Sequence, residues 1–134
     1  MALKIEGVCP LLAVFDMPEA IAFYRDALGF EVVATSKPGP DFGWAWLKRD
    51  DAEVMLNTAY ERHARPPAPD GTRVAAHGDT TLYFGCRDLE GAYLHLRAHG
   101  LDVKRPVVRD YGMRQLTLKD PDGYGICLQW RVGA

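Results

Sequence analysis

CPLLAVFDMPEAIAFYRDALGFEV, residues 9–32, and TLYFGCRDLEGAYLHLRAHGLDV, residues 81–103, carry one pattern twice. A shift of 72 residues brings Asp16 onto Asp88, Ala20 onto Ala92 and Arg25 onto Arg97, with one residue of slip just before Gly29 and Gly100. The same shift lays KRDDAEVMLN (48–57) on DPDGYGICLQ (120–129), so that Leu56 meets Leu128. A period of this kind marks a supersecondary unit used twice.

Each half predicts the order βαβββ. A strand (PLLAVF, then TLYFGC) is followed by an aspartate suited to cap a helix. Pro18 falls in the first helical turn, where a missing N–H costs little. Met17, Ile21, Tyr24 and Leu28 recur at helical spacing in the first half, and Leu89, Tyr93 and Leu96 in the second. Gly29 and Gly100 read as C-caps. Three strand candidates follow in each half: FEVVATS, GWAWLKR and EVMLN, then LDVKRPVV, MRQLTLK and YGICLQW. The expected fold is α+β: one domain over 1–134, with two tandem βαβββ modules (about 5–59 and about 80–131) forming cupped mixed sheets, each with one helix behind it. The stretch between them, about 60–79, is rich in Pro, Gly and charge and reads as a surface linker with a short helical turn.

Composition bounds the function. The 134 residues are 48% apolar and 25% charged, with a net charge of -2, which gives no electrostatic case for nucleic acid or an anionic membrane. No apolar run approaches the ~20 residues that span a bilayer. The N-terminus lacks the basic and long apolar regions of a signal peptide. Three widely spaced cysteines suggest reduced thiols in a cytoplasmic protein rather than a disulfide framework.

Strand alternation separates two faces. One is apolar: Leu12, Val14, Val54, Leu56, Leu82, Phe84, Ile126 and Leu128, with Trp130 continuing the last strand. The other is mixed: Cys9, Leu11, Ala13, Met55, Asn57, Thr81, Tyr83, Gly85, Gly125, Cys127 and Gln129. Such a concave face suits a small organic ligand, with small residues leaving room and Tyr83, Asn57 and Gln129 able to orient it.

FYRDALGFE in the first module and DPDGYGICL near the end, set within paired βαβββ modules, resemble the vicinal oxygen chelate superfamily of glyoxalase I, extradiol dioxygenases, and fosfomycin- and bleomycin-resistance proteins. The resemblance runs from about residue 8 to residue 131, and VCPLLAVFD and YGMRQLTLKDPDGYG look most like its bleomycin-resistance-like branch. It implies a homodimer, as do short modules whose sheet edges need cover. The superfamily's enzymes hold a divalent ion between His and Glu ligands. The matching positions here are Cys9, Met55, Thr81 and Cys127, none of which is His, Asp or Glu. The resemblance therefore implies binding more than turnover, with no metal, no other cofactor and no catalytic residue expected; the mixed face supplies the expected binding residues for a small, partly aromatic or amphipathic organic molecule: Cys9, Leu11, Met55, Asn57, Thr81, Tyr83, Cys127 and Gln129. Bleomycin itself is cationic, and little acid lines these positions, which argues against that ligand.

Other readings compete. Cys127 and Cys9 are expected as inert buried thiols, the alternatives being a nucleophile or a soft-metal pair. His95 and His99 have a zinc-compatible spacing but fall away from the stripe of Leu89, Tyr93 and Leu96, toward solvent. His63 or His77 in the linker would act as a lid only if something positioned it. Hairpin register decides the side taken by Trp44 and Trp46: on the cup face Trp46 offers a stacking surface, whereas their repeat partners Leu116 and Leu118 favour the core. Arg114 is either a rim residue for an acid group or a surface arginine. The functional rivals are an enzyme with an unusual metal site, a metal-free acid/base catalyst using Tyr83 or a cysteine, and a dimerising module with a vestigial cup.

Overall fold

The computed structural model describes residues 2–134. The elements run β1 (Leu11–Val14), α1 (Met17–Ile21), β2 (Glu31–Thr35), β3 (Trp44–Arg49), β4 (Ala52–Thr58), α2 (Gly71–Ala76), β5 (Thr81–Gly85), α3 (Leu89–Ala98), β6 (Val107–Val108), β7 (Met113–Lys119) and β8 (Gly125–Arg131). They fall in two units, one ending at Arg65 and the other beginning at Pro66. Each unit holds one four-stranded mixed sheet, ordered β1-β4-β3-β2 in the first and β5-β8-β7-β6 in the second. The outer pairs β1/β4 and β5/β8 are parallel and the rest antiparallel, so the α+β fold and its doubled βαβββ order are as the repeat predicts.

In the first unit Asp16 caps α1, its carboxylate accepting from the Glu19 amide at 3.1 Å. Beyond Ile21 the helix widens into a π-helical stretch, Ala22–Ala27, in which Leu28 N–H donates to the Phe23 carbonyl at 3.0 Å. The wider turn lets the consecutive Phe23 and Tyr24 both bury, their rings edge to face at 5.0 Å. Gly29, at φ +83°, ends the helix in a conformation that side chains resist. α1 packs on β4, and Leu12, Val14, Val54 and Leu56 are buried beneath it.

The second unit repeats the plan. Asp88 accepts from the Gly91 amide at 2.9 Å, Gly100 ends α3 at φ +81°, and α3 packs on β7 and β8. Leu89, Leu96, Leu116 and Ile126 are buried, while Leu82, Phe84 and Leu128 are half-buried. Burying the side chain of one such leucine contributes about 2 kcal/mol, which makes these faces the main source of stability in each unit.

Three features depart from the expectations. LDVKRPVV yields a strand only at Val107–Val108, because Pro106 has no N–H to pair and Lys104 and Arg105 are exposed. The linker carries three helical turns: Arg62–Ala64, α2 and His77–Asp79. His77 is held against the β7–β8 loop, its Nδ1 donating to the Asp122 carbonyl at 2.7 Å and its ring stacked on Tyr124 at 4.0 Å. Finally, the repeat slips inside its second hairpin. Lys48 pairs with Glu53 across four intervening residues, and Lys119 with Gly125 across five. The counterparts of Leu116 and Leu118 are therefore Ala45 and Leu47, both fully buried, and not Trp44 and Trp46.

Candidate functional site

That one-residue slip reverses the side assigned to the tryptophans, since a strand changes face at every residue. Trp44 pairs with Asn57 and Trp46 with Met55, so both indoles stand on the mixed face, not in the core as their supposed leucine partners favoured. A row runs across the first sheet through Leu11, Met55, Trp46 and Ala34, and beside it a row of Ala13, Asn57 and Trp44. Leu11 is 55% exposed, and both tryptophans are half-buried. The Trp46 Nε1 donates to Glu53 at 3.0 Å, and the Lys48 ammonium sits 5.4 Å from the indole centre. The face thus offers aromatic and aliphatic surface with one acid already committed to a neighbour. Cys9 precedes β1 and is half-buried, next to the Pro10 carbonyl that accepts from the Met55 amide at 2.8 Å.

The mixed face of the second unit is more polar. Its rows are Tyr83, Cys127 and Thr117, then Gly85, Gln129, Gln115 and Val107. Tyr83 is 61% exposed, whereas Cys127 is only 1% exposed, sealed between its neighbours. At the end of the face Thr81 pairs with Gly125, where a Cβ on the glycine would stand 2.6 Å from the threonine Oγ1. Gln115, 6% exposed, has its needs met within the sheet: its amide nitrogen donates to Gln129 Oε1 at 2.9 Å, and its own Oε1 accepts from Arg109 Nε at 3.1 Å and Tyr111 Oη at 3.3 Å. Buried polar groups persist where they are hydrogen-bonded in this way. A cavity of about 280 Å³ opens beside Gln129, lined also by Gly85, Met113, Trp130 and Arg131.

Arg114 does not reach this face. It pairs across β8 with Trp130, on the helix side, and its guanidinium binds Glu90 at the start of α3. Trp130, expected in the core, is half-buried: the Arg87 guanidinium covers its ring at 4.5 Å, and its Nε1 has no partner among the described residues. The arginine that touches the polar row is Arg109, which the sequence reading passed over along with Gln115 and Thr117. The signal was present: Leu116 and Leu118 claim the core side of β7, and alternation then sends Gln115 and Thr117 to the other.

Burial pushes the Cys9 and Cys127 thiols above their ordinary 9.0; nearby Glu53 adds to this at Cys9, while Arg109 partly offsets it at Cys127. Protonated thiols are poor nucleophiles and poor ligands. His95 and His99 are exposed, the His99 Nδ1 donates to the His95 carbonyl at 3.0 Å, and among the described residues no third His, Cys, Asp or Glu joins them in a metal-binding group.

The family model for the Glyoxalase/Bleomycin resistance protein/Dioxygenase superfamily matches residues 7–128. The chain belongs to this superfamily. No protein of curated function matches it. Among solved structures of superfamily fold it is similar to TioX from Micromonospora sp. ML1 (17% identity, TM-score 0.74, covering 95% of this chain and 99% of that one). It is also similar to TnmS3, an antibiotic binding protein from Streptomyces sp. CB03234 (25% identity, TM-score 0.68, 98% of each chain). A third is the bleomycin resistance determinant encoded on the transposon Tn5 (21% identity, TM-score 0.66, 96% and 99%). At 17% and 21% identity the first and third show the fold alone.

Superfamily enzymes bind a divalent ion, but the residues here do not fit one. Of the four matching positions, Cys9 and Cys127 hold their protons, and Met55 and Thr81 carry no charge. Hard divalent ions need anionic oxygen or imidazole donors to replace their water. Among the described residues no three His, Cys, Asp or Glu side chains come together. No described helix is long and apolar enough to cross a membrane.

Proposed function

We propose that this chain binds a small, partly aromatic or amphipathic organic molecule against the mixed faces of its sheets and leaves it chemically unchanged. The observation that carries this reading is the placement of Trp44 and Trp46 beside Met55 and Asn57, outside the core. Flat, half-buried indoles next to a hydrogen-bonding amide are what an aromatic guest stacks on. Kinship with an antibiotic binding protein at 25% identity supports the same reading. The raised thiols and the absence of a suitable donor set support retention of the guest without turnover. Cys9, Leu11, Met55, Asn57 and Trp46 on one face, with Thr81, Tyr83, Cys127 and Gln129 on the other, are the proposed binding residues.

The proposal includes a cytoplasmic homodimer. β1 and β5 are sheet-edge strands, and Leu3, Ile5 and Val8 lie more than three-quarters exposed just before β1. Light scattering giving a mass of two chains supports this part, and a single chain at all concentrations refutes it.

A thermal-shift screen of aromatic and amphipathic compounds tests the function. Binding to the native state alone stabilises by about 2.7 kcal/mol at a hundredfold excess over Kd. The expected result is at least one chemotype whose shift disappears in Trp46→Ala and weakens in Tyr83→Ala. A hit unaffected by either variant, or no hit at all, contradicts the reading.

A further inference from the structure

The hydrogen bonds on the mixed face of the second unit leave it richer in donors than in acceptors, and that balance bears on the guest. Arginine donates and never accepts. The bond from Arg109 Nε at 3.1 Å therefore fixes the Gln115 oxygen as the acceptor, and the second bond from Tyr111 Oη fills it. Gln115 must then present its amide nitrogen to Gln129, which it does at 2.9 Å, so the oxygen of Gln129 is an acceptor already in use. Gln129 keeps its two amide hydrogens and one oxygen lone pair, and Arg109 keeps the hydrogens of both Nη atoms. The row therefore keeps more free donors than acceptors.

Charge points the same way. Arg109 has no carboxylate partner among the described residues, and neither does Arg131 on the wall of the cavity next to Gln129. Arg97, Arg105 and Arg114, by contrast, are each paired with an acid. Gly85 and the Trp130 ring lie close together on the cavity wall, where a Cβ on Gly85 would stand 3.2 Å from the ring. The cavity, about 280 Å³, is somewhat smaller than a site for a whole drug-sized molecule and suits one end of it.

We infer that this cavity receives the anionic oxygen end of the organic guest, a carboxylate in the first instance, held by the amide of Gln129 and the guanidinium of Arg131, both on its wall. The inference rests on the proposed binding function and sharpens it: the guest is an organic acid. A charge-assisted hydrogen bond is roughly twice as strong as a neutral one, so the acid group supplies selectivity as well as affinity.

The test uses three probes of one shape on the full chain: 2-naphthoate, 2-naphthylmethanol and 2-naphthylmethylammonium, titrated by calorimetry. The naphthoate is expected to bind about tenfold tighter than either of the others, with the advantage shrinking as salt rises. Arg131→Met is expected to remove most of that preference. Gln129→Glu turns the exposed donor into an anionic acceptor and is expected to reverse it in favour of the ammonium probe, a gain that an unfolded protein cannot show. Equal binding of the three probes, tighter binding of the alcohol or ammonium, or no binding of naphthoate overturns the inference. A neutral or cationic hit in the thermal-shift screen would leave the proposed function standing while refuting this one; a screen without hits would refute the function itself.

Discussion

The indole of Trp46 donates to Glu53 at 3.0 Å, two pairs along the ladder from Met55, which lies directly across from the ring. This bond anchors the edge of the ring and leaves its flat surface on the mixed face. Trp46→Phe keeps most of the aromatic surface and loses the bond. The expected cost is about 1 kcal/mol of stability in urea denaturation, with ligand affinity reduced only a few fold. Trp46→Ala removes the surface and should abolish the thermal shift. Equal affinity in wild type and Trp46→Ala would show that the indole takes no part.

Arg114 and Glu90 form an ion pair on the helix side of β7, with both side chains more than a third exposed. A pair so exposed contributes little, in the range of about 0–1 kcal/mol. Arg114→Ala is therefore expected to leave ligand affinity unchanged and to alter stability by less than about 1 kcal/mol. A large loss of affinity would place Arg114 in the binding site and contradict the register that pairs it with Trp130.

Gly125 faces Thr81 too closely for any side chain, its Cβ position lying 2.6 Å from the Thr81 Oγ1 and 3.3 Å from the Thr80 carbonyl. Gly125→Ala should destabilise by about 1–3 kcal/mol through overpacking. Adding Thr81→Ala removes the nearest atom and should recover part of the loss, measurable as a non-additive double-mutant cycle. Strict additivity would mean that the clash is relieved elsewhere.

The thiols give a pH signature. Cys9, Cys86 and Cys127 are all held above the ordinary 9.0, chiefly by burial. The unfolded chain therefore loses these protons first as pH rises, binds fewer protons than the native state, and is favoured. Stability from this source is intact below pH 9.0 and declines above it, through the native thiol range. Thiol titration of the native protein at pH 7 should be slow for Cys127, and Cys127→Ala should retain ligand binding. Rapid modification at pH 7 would point to an activated thiol and revive the metal-free catalyst.

Much of this was legible in the chain itself. The repeat, the caps at Asp16 and Asp88, the helix-ending Gly29 and Gly100 and the sorting of Leu12, Leu56 and Ile126 follow from local chemistry and periodicity. What escaped depends on a single residue of register. One extra residue between Lys119 and Gly125 broke the constant 72-residue shift inside the hairpin, and with it the facing of Trp44 and Trp46. The same shift hid the counterparts Gln115 and Thr117, and so the polar row. Arg109 escaped because it precedes a turn at Tyr111–Gly112 that brings it back toward Gln115, a contact set by tertiary geometry and not by spacing alone.

The most direct measurement of the central claim is recovery of the ligand. A compound found by thermal shift is incubated in large molar excess with the protein, and both bound and free fractions are analysed by mass spectrometry. The account predicts saturable binding and a guest of unchanged mass in both fractions. A product accumulating beyond the amount of protein present would show that these faces transform what they bind, and would contradict it.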